Sequence, residues 1–392
     1  MTGGGLSEVR LQRMHDVMNG YVERGDVPGL VTLVSRRGED HFDALGVRSL
    51  DGDPMTNQTI FRIASLSKPV LAVGAMILVE ECKLGLDEPV DRLLPELADR
   101  KVLKLIDGPL EYTVPAVRPI TLRDLLTQRM GFGSIMEPSD HFPIVGAVNE
   151  KQIGTIGPEN SPLDPDEWIR RLGSLPLMAQ PGERWMYNTS FSVLAVLIAR
   201  AAGQPLEDFL RDRIFDPLAM TDTSFTVPEA KLDRLAGSYR FSKSAGKLKR
   251  SADDLRDGGW FGRDELASTA EDYARFGRMM LDNGRFAGGR ILARPSIQTM
   301  IVDHVTPAQK AISPFFPGFW ENRGWGFGVS VVTRRDDIAS IPGRYGWDGG
   351  TGTSWYADPT ENLHALLMTQ VEVFPSGIYE DFWTSAYQTI DD

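Results

Sequence analysis

Cysteine is almost absent from this 392-residue chain, which has one, Cys82. No internal disulfide can form and no cysteine cluster is available for a structural zinc, which suits a reducing compartment. Histidine is scarce too. His15, His41, His141, His304 and His364 are scattered, and none stands at a metal-ligand spacing from another histidine or the cysteine. No apolar run is long enough to span a bilayer. The amino terminus, Met1 to Arg10, lacks the basic-then-apolar pattern of an export signal, so the expectation is a cytoplasmic protein. Positive charge is in deficit: the net charge is −12 and the isoelectric point about 5.0. Such a surface is not made for phosphate backbones or anionic lipid, so nucleic acid and membrane are not expected partners. The G-x-S-x-G nucleophile elbow is missing as well, which speaks against an α/β-hydrolase.

What remains is ordinary for a soluble protein, with 42% hydrophobic and 24% charged residues. The length suggests roughly two domains. The most informative stretch is Ile63-Ala64-Ser65-Leu66-Ser67-Lys68-Pro69-Val70. The run behind it, Leu71 to Glu80, is too long for a buried strand and reads as a buried helix. Ser65 then stands at a helix N-terminus with Lys68 one turn away on the same face. A serine hydroxyl is a weak nucleophile until a base stands beside it, and desolvation of a lysine favours the neutral amine that is such a base. The helix N-terminus favours negative charge developing next to the serine. The plainer reading is a helix cap with an exposed lysine. A second copy of the spacing, Ser244-Ala245-Gly246-Lys247, lies in the basic stretch 242–250 without apolar periodicity. It reads as a solvated loop or hairpin turn.

Along the chain, Leu11, Met14, Val17, Met18 and Tyr21 recur at helical spacing, so residues 6–24 open with an amphipathic helix. Leu30–Ser35 and His41–Gly46 form a hairpin, and Ile60–Ile63 is a short strand leading to Ser65. From about residue 90 to 250, helical patches such as Thr121–Leu126 and Phe191–Arg200 alternate with Pro/Gly-containing stretches, including Gly154–Pro165. A capping box, Ser268 with Glu271, starts a helix running through Met280. Strands are expected at Gly326–Val332, Ser354–Ala357 and Leu363–Val371, and a last helix at Gly377–Ile390. Strands from the two ends of the chain should share one sheet with the helical segment inserted between them, giving an α/β domain plus an α domain. The expected domains are 1–90 with 251–392, and a mainly helical insertion at 91–250, with a cleft between them.

Three motifs occur in a telling order: Ser65-Leu66-Ser67-Lys68, then Pro181-Gly182-Glu183-Arg184-Trp185-Met186-Tyr187-Asn188-Thr189, then Trp347-Asp348-Gly349-Gly350 before a strand. With Ile120–Gln128, Ala201–Leu206 and Ser268–Phe276 in support, the chain resembles the serine β-lactamase and penicillin-binding-protein superfamily. Within it, the chain is similar to class C β-lactamases and most of all to the family VIII carboxylesterases. The resemblance implies a β-lactamase-like α+β fold, an antiparallel sheet flanked by helices plus an inserted mainly helical domain, with Ser65 as nucleophile, Lys68 as its base and Tyr187 as proton shuttle. It implies an oxyanion hole from the backbone N–H groups of Ser65 and Gly350. An ordinary half-buried tyrosine is the plainer reading of Tyr187.

Departures from the family pattern bear on substrate. Trp347 stands where the lactamases carry a lysine, and Asp348 where threonine is usual. Thr189 replaces an asparagine that would pair with an acylamino side chain. With Gly349, these residues form the expected substrate contacts, and an Asp348 that faces the cleft repels anionic substrates. Core packing of Trp347 and a solvent-facing Asp348 are the alternatives. Pro314–Trp320 is dense in aromatics, and reads equally as an apolar substrate wall, joined by Trp185 and Trp325, or as a local cluster closing its loop. The expected function is a serine carboxylesterase for short-chain neutral esters, working through an acyl-enzyme, with a small-molecule ester as partner and no metal or organic cofactor. Alternatives are a β-lactamase or D-amino-acid peptidase, an acyltransferase using the same residues, and a non-catalytic binding protein. Oligomeric state is not read from the sequence.

Overall fold

Leu30-Val31-Thr32-Leu33-Val34 is apolar or β-branched throughout, and the strand it forms, Gly29–Arg36, is buried along its whole length. The computed structural model describes residues 3–50, 52–136, 141–154, 163–242, 246–251, 265–372 and 377–392. In it, this strand pairs on one side with Glu39–Gly46 and on the other with Leu363–Thr369. The ladder continues through Thr353–Asp358, Tyr345–Gly349 and Ser330–Val332 to Arg323–Trp325, every pairing antiparallel. The two ends of the chain therefore share one sheet, as expected. Trp347, Asp348 and Gly349 belong to a strand of their own, Tyr345–Gly349, rather than only to the turn ahead of the next one. The second hairpin pairs Tyr239–Ser242 with Lys247–Arg250; Ser244 lies outside the described residues, as does most of the Gly154–Pro165 stretch.

Helices cover both faces of the sheet. On one, Glu8–Glu23 and Ile378–Gln388 pack together over Tyr356, Leu363, Ala365 and Leu367. On the other, Ala270–Leu281 lies over the strands that carry Trp355, Leu366 and Met368. Its cap is Thr269, whose hydroxyl accepts the Asp272 N–H at 3.1 Å, one residue later than the box expected at Ser268. Ser268 is committed elsewhere, as the end of the strand Leu266–Ser268 and as partner of the Thr223 hydroxyl at 2.8 Å. Beyond the sheet, the apolar helices Ser67–Glu80 and Thr189–Ala202 pack against each other within the same hydrophobic cluster. The fold is thus α+β, an antiparallel sheet between helices with further helical segments. Among the described residues no single helix is long and apolar enough to cross a membrane.

The helix Ala270–Leu281 approaches the sheet at Gly277. A Cβ there would stand 2.7 Å from Trp355 Nε1 and 2.8 Å from His364 Nδ1. Alanine in a helix interior ordinarily gains about 1 kcal/mol over glycine, whereas overpacking a core costs roughly 1–3 kcal/mol. Gly277→Ala is expected to lower the unfolding midpoint. Gly74→Ala, where the nearest obstacle is the movable Leu210 Cδ2 at 3.0 Å, should stay near neutral when measured beside it.

His364 is fully buried, and neither ring nitrogen has a hydrogen-bond partner among the described residues. Burial, helped by the Arg278 charge, pushes its pKa from 6.5 down to about 3. Below 6.5 the unfolded chain therefore binds a proton that the folded one refuses, and stability drops as the pH falls from 6.5 toward 3. Carboxylates such as Asp222, held at about 2 by Arg234, add their own loss only in the more acidic part of that window. Melting curves from neutral to mildly acid pH should show this decline, and His364→Gln should flatten it.

Candidate active site

Ser65 sits in the tight turn between the strand Phe61–Ala64 and the helix Ser67–Glu80. Helical geometry begins two residues after the serine rather than at it, and the Lys68 N–H closes on the Ser65 carbonyl at 3.1 Å. The turn is fixed from behind by the motif around residue 268. Leu266 donates its N–H to Ser67 Oγ at 2.7 Å, and the Tyr273 hydroxyl donates to the Leu66 carbonyl at 2.8 Å. Ala64, immediately before the serine, is left-handed at φ 44°, a costly conformation for a residue with a Cβ.

Lys68 is 4% exposed, and its Nζ donates to Ser65 Oγ at 2.9 Å. It takes part in no ion pair among the described residues; instead its Nζ lies over the Tyr187 ring at 4.9 Å and the Phe191 ring at 5.9 Å. The Tyr187 hydroxyl donates to the same Ser65 oxygen at 2.7 Å. Three residues expected to meet are therefore joined through one oxygen atom. The plainer readings, an exposed Lys68 and an ordinary Tyr187, are both set aside by this geometry.

Tyr187 is held by residues for which the sequence suggested no role. Its carbonyl accepts the Ser134 N–H at 2.8 Å, and the Met186 N–H reaches the Gln128 carbonyl at 2.8 Å. The Gln128 side chain, fully buried, accepts the Asn188 N–H through Oε1 at 2.5 Å. Consecutive peptide units around the tyrosine are thus pinned to one segment, 128–134. Asn188 carries φ 85° and Gln128 φ 55°, so this clamp sustains two further left-handed non-glycine residues. Gln128 ends one of the family-like stretches, which was the only available hint; a buried amide aimed at a distant peptide leaves no periodic trace.

Trp347 is buried at 4% exposure, and its indole N–H donates to the Tyr187 hydroxyl at 2.7 Å. It does not line the cleft as an expected substrate contact, because its ring is enclosed by Trp325, Phe319 and Tyr187 at centroid distances of 4.6, 6.0 and 5.7 Å. Asp348 is a plainer correction. Strand alternation turns it to the opposite face of the sheet, where it accepts from Ser354 Oγ at 2.6 Å and the Tyr356 hydroxyl at 3.2 Å. Thr189 begins the helix Thr189–Ala202 at 2% exposure, and its hydroxyl has no hydrogen-bond partner among the described residues. Packed inside, it offers no surface to a ligand.

Gly349 and Gly350 divide the remaining expectation. A Cβ on Gly349 would stand 2.6 Å from the Ile63 carbonyl, so glycine is needed where this strand meets the one that leads to Ser65. The contact is stitched by Thr351 Oγ1 to the Arg62 carbonyl at 2.6 Å and Thr353 Oγ1 to the Ile63 carbonyl at 3.2 Å. Gly350 is exposed, with open space where a side chain would stand. Neither its N–H nor that of Ser65 donates to a backbone carbonyl among the described residues. A backbone N–H without an acceptor is what a reaction that builds negative charge on oxygen uses. Among the described residues, no group of three or more His, Cys, Asp or Glu side chains is placed to hold a metal ion.

Comparison with known proteins gives the family of the chain. Residues 14–383 match the Beta-lactamase family. An uncharacterized protein of Mycobacterium tuberculosis (strain CDC 1551 / Oshkosh) is 36% identical over 366 residues, spanning 89% of this chain and 87% of its own. Esterase EstB of Burkholderia gladioli is 30% identical over 383 residues, 91% of this chain and 89% of that protein. Among solved structures, EstCE1, described as a hydrolase with promiscuous acyltransferase activity, superposes with a TM-score of 0.79 at 23% identity, covering 98% of each chain. From the serine, lysine and tyrosine gathered on one oxygen to the match across nearly the whole sequence, the chain belongs to the Beta-lactamase family, as one of its family VIII carboxylesterase-like members.

Proposed function

We propose that the protein is a serine esterase that cleaves neutral carboxylic esters through an acyl-enzyme on Ser65, in a cleft between the sheet portion (1–90 and 251–392) and the helical portion (91–250). The observation that carries the reading is the Ser65 Oγ held at 2.9 Å from Lys68 Nζ and 2.7 Å from Tyr187 Oη. In the proposed sequence, Ser65 Oγ bonds to the ester carbonyl carbon as its proton passes to Lys68 Nζ. The Ser65 and Gly350 N–H groups receive the oxyanion, where one such donor is worth roughly 3 kcal/mol. Collapse breaks the bond to the alcohol oxygen, which takes the Tyr187 proton, and Lys68 returns a proton to Tyr187. Water then attacks the acyl-enzyme by the same route in reverse, releasing the acid and restoring Ser65.

Neutral substrates follow from the surroundings. The indole of Trp347 occupies the place of the lactamase cation, so no ammonium from that position meets a substrate carboxylate. Similarity to EstB supports an esterase, and the activity named for EstCE1 favours one second reading, in which an alcohol replaces water as acyl acceptor on the same residues.

The test is a paired assay of wild type and Ser65→Ala on p-nitrophenyl acetate and butyrate against a chromogenic cephalosporin. Ester turnover that disappears with Ser65, and a cephalosporin slow by comparison, is the expected result. Faster cephalosporin turnover would make the protein a lactamase, and ester turnover surviving in Ser65→Ala would remove the site. The Trp347 N–H generates a second expectation. Trp347→Phe keeps the ring and removes one hydrogen bond to the phenol, worth about 1 kcal/mol or somewhat more. kcat/KM should fall about ten-fold for ethyl butyrate, whose alkoxide needs the Tyr187 proton to leave, and less for p-nitrophenyl butyrate, whose phenolate leaves unaided. Equal losses on both esters would show that Trp347 does not act through Tyr187.

A further inference from the structure

Two segments are tied to the Tyr187 motif, and each ends in a large apolar side chain left half in water. From Ser134, whose N–H holds the Tyr187 carbonyl, the chain runs through half-buried Ile135 to Met136, which is 49% exposed. On the other side, Gln309 Nε2 donates to the Gly182 carbonyl at 2.7 Å. Ser313 Oγ donates to the Gln309 carbonyl at 2.6 Å and accepts the Trp185 N–H at 2.8 Å. This latch sets the aromatic loop against the tyrosine. Phe315 lies on the Tyr187 ring with centroids 5.2 Å apart, and Phe316 continues the surface 5.0 Å beyond it. Phe319 backs both, at 5.0 and 4.9 Å. Phe316 is nonetheless 49% exposed. Local closure of the loop accounts for the buried rings Phe319 and Trp185, not for an uncovered one stacked on the ring that touches Tyr187.

Which half of an ester this wall meets is decided by chemistry. On the reading of Tyr187 as the donor to the leaving oxygen, on which this inference rests, the alcohol half lies on the tyrosine side of Ser65 and the acyl half does not. We propose that Phe315 and Phe316 form the wall of the alcohol subsite, and that the substrates are esters of apolar, bulky or aromatic alcohols. Because deacylation retraces acylation, the same wall receives an acceptor alcohol. Its oxygen bonds to the acyl carbon as its proton passes to Tyr187 and Tyr187 hands its own proton to Lys68; the bond from the acyl carbon to Ser65 Oγ then breaks as Lys68 gives that proton to the serine oxygen.

The experiment compares wild type with Phe316→Ala on two series. Methyl, benzyl and 2-naphthylmethyl acetate vary the alcohol among oxygens of similar basicity; benzyl acetate, butyrate and hexanoate vary the acyl group. Wild type should prefer the naphthylmethyl over the methyl ester in kcat/KM. Covering half of a phenylalanine side chain corresponds to about a five- to ten-fold effect, so Phe316→Ala should narrow that preference by about this factor while the ratios in the acyl series stay put. A change in the acyl series instead, or in neither, overturns the inference. A second readout is independent of how much protein is folded: partition of the acetyl-enzyme between benzyl alcohol and methanol, supplied together. Phe316→Ala should shift the products toward methyl acetate, and an unchanged product ratio counts against the wall. Loss of the proposed function looks different, since wild type would then hydrolyse none of these esters in a Ser65-dependent way.

Discussion

Everything in the site depends on one hydroxyl oxygen that accepts from two donors carried by distant parts of the chain. Lys68 comes with the serine, on the helix that begins two residues later. Tyr187 arrives across 122 positions of sequence, and nothing local brings it. Its placement relies on the peptide clamp from Gln128 and Ser134, and on Trp347, whose indole N–H approaches the phenol from the sheet. A misplacement of about 1 Å in such an arrangement can cost two orders of magnitude in rate. The number of hydrogen bonds spent on holding the tyrosine is in keeping with that sensitivity.

Backbone strain is present at the same place, as it is at seven other described residues. Ala64 precedes the serine, Asn188 follows the tyrosine and Gln128 clamps it, and all three have positive φ without being glycine. Each such residue costs on the order of 1–3 kcal/mol. The surroundings offset it with buried hydrogen bonds and close packing: Gly349 against the Ile63 carbonyl, Tyr273 on the Leu66 carbonyl, and the two apolar helices side by side. The site is strained because a rigid frame over-determines it, not because its residues prefer these shapes.

The substitution of tryptophan for the lactamase lysine changes more than charge. The indole is buried and has its single donor engaged by Tyr187. The aromatic residues of the 313–320 loop extend the same apolar environment outward to the half-exposed Phe316. From interior to rim, that side of the site presents rings rather than ions.

Much of this architecture is legible in the order of residues. Alternating and continuous apolar runs predict the hairpin and the later strands, because burial of one or both sheet faces imposes a periodicity on the chain. The Ser65–Lys68 pair is legible because one helical turn is a local distance. Sequence does not say where strand alternation aims neighbours: Trp347 and Asp348 are adjacent, yet one meets Tyr187 and the other hydrogen-bonds Ser354 and Tyr356 on the far face. Nor does it show Thr189 closed off at the head of its helix, the cap at Thr269 rather than Ser268, or the Gln128 amide beneath Asn188. Those are matters of contact between segments, and side-chain direction at such contacts is set by register and packing. The residue types and the family resemblance came from the sequence alone; which of them face the oxygen of Ser65 was decided only by the tertiary fold.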